Sequence, residues 1–214
     1  MAELLLDNES HWMGLSKNLW ILDSGHGGIN AKGIYTTAPA KMFRFPEFTI
    51  YEGVINRAIQ GILKAELKSL GIDYAIVAHE YEDTPLNKRV ALADQVYRKD
   101  KRAVYLSIHS NAGGGSGFEV FTSPGQTKSD EFAKGFCASY KKHFPDKNLR
   151  SDYADGDADK EADFYVLRKT DCPAVLVENL FFDNKEEAKY LMSRLGQVSI
   201  AKCLLDAIKS FELP

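Results

Sequence analysis

Short apolar runs that read as buried strands alternate along this chain with longer segments of helical spacing. That alternation limits the fold more than any other feature. "LWILDS" (19–24) is followed by 53–70, where Ile55, Ile59, Ile62, Leu63, Leu67 and Leu70 recur at helical spacing before Gly71. "IDYAIVA" (72–78) reads as the next strand and 85–99 as a helix; "AVYLSIHS" (103–110) and "GFEVFT" (117–122) read as strands. A helix is expected over about 128–143, strands at "DFYVLR" (163–168) and "AVLVENLF" (174–181), and a closing helix over 185–210. The pattern predicts a single α/β domain with a mostly parallel sheet covered by helices. "GFEVFT" follows its predecessor too closely for a crossover and is expected antiparallel to it.

A chain of 214 residues can bury one substantial core and is short for two. Its net charge of -3, with no block of Lys or Arg, gives no basis for electrostatic binding of nucleic acid. Cys137, Cys172 and Cys203 are widely spaced with no C-x-x-C pair, and read as buried thiols of a reducing compartment. Residues 1–18 carry neither a basic leader nor a long apolar run, so they read as an N-terminal extension before a domain over 19–214. No stretch is long enough to span a bilayer, so no membrane insertion is expected. The chain as given is expected to be made in the cytoplasm without a recognisable signal peptide, unless an export signal is missing from it. The long segments 29–48 and 151–163 read as loops, the acidic second one as solvated.

Sites in open α/β sheets form beyond the carboxyl ends of the strands. His26 in "SGHGG", His79 in "VAHEYED", His109 in "SIHSN" and Glu178 in "VLVENLFF" all lie at or just beyond such ends. Zinc hydrolases take three His or Asp/Glu ligands and keep one position for water, which a further carboxylate can deprotonate. His26 and His109 fit that use, but glycine-flanked histidines also cap turns. His79, among acidic residues, reads as a solvated loop histidine. Glu52 fits a capping box with Thr49 as N-cap, and a carboxylate there can equally face a cation. Glu178 is the sharpest anomaly, because a charge in so apolar a strand is costly unless paired or metal-associated.

"LDSGHGG", the glutamate of "YEGVINRAI", "TPLNKRVALAD", "LSIHSNA" with "GFEVF", and "CPAVLVENLFFDN" occur in an order that resembles the zinc-dependent N-acetylmuramoyl-L-alanine amidases, the type 3 family. The resemblance runs from about residue 19 to 208. It implies a twisted sheet of about six strands, one zinc per chain held by His26, Glu52 and His109, and Glu178 as the catalytic carboxylate. The implied substrate is peptidoglycan, cut between N-acetylmuramic acid and the L-alanine of the stem peptide, so the implied place of action is the cell wall. Ser24, Ser110 and Leu180 stand where the family usually has proline, alanine and glycine. The segment 29–48 resembles phage-lysin forms and is expected to line the cleft. The glycines beside the two histidines are expected to leave room for a bulky glycopeptide. Alternatives are a zinc carboxypeptidase acting on wall peptides and a non-catalytic wall-binding module. The motifs leave open lysin against autolysin, oligomeric state and any activating partner.

Overall fold

The structure, a computed structural model, describes residues 10–154 and 156–212. Strand β1 (Leu19–Ser24) is buried along its whole length because it sits inside the sheet. It pairs in parallel with β4 (Tyr74–Ile76) and with β5 (Ala103–Asn111). Strand β8 (Ala174–Phe181) lies parallel to β5 on its other side. Beyond β8 come β6 (Phe118–Thr122) and the two-residue β7 (Lys160–Glu161), giving the order β4-β1-β5-β8-β6-β7. A small hairpin, β2 (Met42–Arg44) and β3 (Thr49–Tyr51), interrupts the first long segment.

Side chains alternate across each strand, so the two faces carry different cores. Trp20, Leu22, Val104, Leu106, Val175 and Val177 pack under α1 (Glu52–Ser69), α3 (Lys128–His143), α5 (Lys185–Met192) and α6 (Arg194–Glu212). Leu19, Ile21, Tyr105, Ala174 and Leu176 face α2 (Leu86–Lys99) and the short α4 (Tyr165–Lys169). By the same parity Asp23, Ser107, His109 and Glu178 belong to the α2/α4 face. The three cysteines are buried free thiols.

Four expectations change. β6 does run against the direction of β5, but β8 lies between them and is its antiparallel partner. "DFYVLR" forms helix α4 instead of a strand, because Val166 and Leu167 drop into the core under α2. The closing helix breaks at Ser193, whose hydroxyl accepts the Gly196 N–H and whose carbonyl accepts that of Gln197, so α6 starts afresh. The acidic loop is not wholly solvated, since Asp157 and Asp159 are buried.

Of the expected extension, residues 1–9 lie outside the described residues. His11 bridges Tyr74 at the β4 edge, and the backbone N–H groups of Lys17 and Asn18 donate to Glu212. Among the described residues no helix is long and apolar enough to cross a membrane.

Candidate metal centre

The site is built where β1, β5 and β8 end. β1 stops at Ser24 and the chain turns through Gly25, His26 and Gly27, with His26 in the left-handed region at φ 66. A Cβ on Gly25 would strike the His109 ring, and one on Gly27 would strike the Thr36 hydroxyl. The first glycine therefore makes room for the second histidine, not for a substrate.

His109 closes the regular part of β5, after which the pairing with β8 shifts register before Asn111. That irregularity leaves the Ser110 N–H to donate to Glu52 Oε1 at 3.3 Å. Glu52 is the first residue of α1, behind an extended Tyr51 that makes no side-chain cap. The capping-box reading fails here, because Thr49 lies in β3 and the Glu52 carboxylate points inward. Oε1 lies 3.0 Å from His109 Nδ1 and 3.2 Å from His26 Nε2. Asn56, one turn on, donates to the same oxygen and to the Gly25 carbonyl.

Ligand-type atoms of His26, Glu52 and His109 lie within 4.8 Å of one another. Glu52 Oε2 is buried without a hydrogen-bond partner, and the buried His26 Nε2 has only the Glu52 carboxylate beside it. Burial alone would raise the Glu52 carboxyl, but hydrogen bonds and charge from His109 and His26 hold it well below the usual carboxylate range. Burial would lower His109, and the carboxylates of Glu52, Glu178 and Asp23 outweigh it and raise the imidazole. Two nitrogens and a charged oxygen converging with free valence is a donor set suited to zinc.

Glu178 faces His109 across the β5–β8 ladder. Its Oε2 has no partner, and burial followed by the charge of Glu52 pushes the carboxyl up to about 8 against the pull of His109 and Lys41. His26, His109, Glu178, Lys41 and Tyr165 line one cavity of about 220 Å³. Lys41 comes from the segment expected to line the cleft. His79 lies apart, exposed, with Nδ1 accepting the N–H groups of Tyr81 and Glu82.

Sequence reasoning passed over the group beneath the histidines. Asp23, 1% exposed, pairs with Arg89 and accepts from the Tyr105 and Ser107 hydroxyls. Arg89 also donates to the carbonyls of Ser24, His26 and Thr84, fastening the turn that carries His26. An aspartate inside "LWILDS" was as conspicuous as Glu178, and Arg89 is the arginine of "LNKR". Leu180 holds φ 64 just past Glu178, a conformation that glycine adopts without strain.

The family described as N-acetylmuramoyl-L-alanine amidase (Amidase_3) matches this chain over residues 21–210. Among relatives, the N-acetylmuramoyl-L-alanine amidase CwlM of Bacillus licheniformis is 31% identical over 85% of this chain and 63% of its own length. The endolysin of Bacillus phage SPP1 is 29% identical over 83% of this chain and 59% of its own. The chain thus spans about 60% of the length of these curated relatives. The catalytic domain of the amidase CwlV from Bacillus (Paenibacillus) polymyxa var. colistinus shares the fold, with TM-score 0.69, 23% identity, and 91% and 97% of the two chains covered. Ami1 from Mycobacterium smegmatis does so with TM-score 0.72, 20% identity, and 93% and 98% covered. On the match over residues 21–210, the chain belongs to the N-acetylmuramoyl-L-alanine amidase family.

Proposed function

We propose that this chain is a zinc-dependent hydrolase of peptidoglycan that cuts the amide between N-acetylmuramic acid and the L-alanine of the stem peptide. The observation that carries this reading is the convergence of His26, Glu52 and His109 within 4.8 Å, beside the unpartnered Glu178 carboxylate. A wall-binding module needs neither feature. His26, Glu52 and His109 would hold one zinc ion. Bound zinc supplies Lewis acidity, polarising a carbonyl and lowering the pKa of water to about 7.

The chain's own residues supply the rest. Glu52 stays ionised because two imidazoles and the Asn56 and Ser110 N–H groups face it. Glu178 takes the proton of the attacking water at its free Oε2 and returns it to the departing alanine nitrogen. Positive charge entering the site lowers the proton affinity of Glu178, favouring the base form at neutral pH. Lys41 and Tyr165 line the same cavity, where they would meet the substrate.

Digestion of purified peptidoglycan by the zinc-loaded protein tests the reading. Released stem peptides bearing new alanine amino termini, alongside intact glycan strands, are the expected products. Release of carboxyl-terminal amino acids alone would point to a carboxypeptidase and overturn it.

A further inference from the structure

The acidic loop carries a second cluster, on the far side of the sheet from the histidines' strand ends. Between 151 and 163 it holds six acidic side chains and one lysine. Asp159 is 3% exposed and Asp157 is 9% exposed. The two carboxyls stand within hydrogen-bonding reach of each other, and each keeps an Oδ1 with no partner. The Thr122 hydroxyl donates to Asp159 Oδ2 at 2.8 Å from the end of β6. Lys134 on α3, itself 60% exposed, reaches within 3.9 Å of Asp157 Oδ2. Cys137 on the same helix feels both carboxylates as negative charge.

Two facing carboxylates, buried and each with an unused oxygen, repel one another unless something positive joins them. A proton shared within the pair is one answer, and Asp159 is accordingly pushed up to about 7 by burial and by Asp157. A cation is the stronger one, because it offsets both carboxylate charges at once. We infer that Asp157 and Asp159, with the Thr122 hydroxyl beside them, form a binding site for a hard divalent cation, calcium by preference. Carboxylate, hydroxyl and loop-carbonyl oxygens are what calcium accepts in irregular geometry, whereas magnesium demands a tighter octahedron and keeps its waters. Such an ion would tie the loop to β6 and brace β7, which follows at Lys160.

The test is a calcium titration of the full chain, stripped with chelator, followed by melting temperature and by tyrosine-sensitised terbium luminescence. Asparagine variants should fold, since an amide can donate to the neighbouring carboxylate. The parent should show a saturable rise in melting temperature, of order 5 °C when calcium exceeds its Kd a hundredfold. Asp157→Asn and Asp159→Asn should each lose most of that rise and the terbium signal. His26→Ala, which cripples the other centre, should keep both, and magnesium at equal concentration should give less. A parent with no saturable shift, or variants that shift as the parent does, would overturn the site. Loss of the shift in His26→Ala would do so as well, assigning it to the histidine centre.

Discussion

His109 and Glu178 stand directly opposite one another across two parallel strands, at the same register position of β5 and β8. One pairing thus sets a histidine beside the carboxylate proposed to act next to it. A one-residue slip of β8 would send Glu178 to the opposite face. The register is fixed below by Val175 and Val177 on one face and Ala174 and Leu176 on the other. The site's precision therefore rests on the apolar core rather than on the loops.

Arg89 and Asp23 form a buried pair, 2% and 1% exposed, under the turn that presents His26. Arg89→Met leaves Asp23 uncompensated and should cost about 3–5 kcal/mol in denaturant unfolding. The double change with Asp23→Asn should cost clearly less than the sum of the single changes, because the stranded charge is gone. Additive costs would show that the two residues act independently.

Gly25→Ala places a methyl group where the His109 ring now lies. The ring must move or the turn must open, so zinc affinity should fall at least tenfold, about 1.4 kcal/mol or more. Isothermal titration with zinc measures it, and an unchanged affinity would contradict the packing described here.

Leu180 sets two effects against each other. Its left-handed backbone costs about 1–2 kcal/mol, which Leu180→Gly would relieve. The side chain is fully buried, and truncating such a leucine costs about 2–5 kcal/mol. Packing wins, so the variant should be less stable by about 1–3 kcal/mol even though glycine suits the backbone. A stabilised variant would show that strain dominates.

Asp159 gives a pH dependence of defined sign. Its folded pKa of about 7 lies above the ordinary value of 3.8, so the folded state holds the extra proton between them. Stability from this group is present below about pH 4 and is lost as pH rises toward 7. In chelator, the stability difference between the parent and Asp159→Asn should therefore shift against the parent across pH 4–7. A difference independent of pH would contradict the assignment.

Much of the frame was legible because buried strands and amphipathic helices announce themselves by period. Five residues such as Tyr165–Lys169 span too little of a helix to show one, so their aromatic and β-branched content read as strand. Glu178 stood out as a charge in an apolar run, yet Asp23 and Glu119 satisfy the same criterion. Asp23 is neutralised by Arg89, and Glu119 by Arg150 and Lys160. Partner geometry separates the three, and no spacing along the chain records it. Glu52 was ambiguous for a similar reason, since only the position of Thr49 in β3 removes the competing cap.

The central claim is that Glu178 is the proton-transferring carboxylate of a centre held by His26, Glu52 and His109. The direct measurement is the rate at which alanine amino termini appear from purified peptidoglycan, for the parent and Glu178→Gln, each at verified full zinc occupancy. Glutamine keeps the shape and cannot take the proton, so the variant should bind zinc as the parent does and lose about 10²–10⁴-fold in rate. A Glu178→Gln protein that holds zinc and keeps more than roughly a tenth of the parental rate would contradict the account, given the usual size of general-base effects.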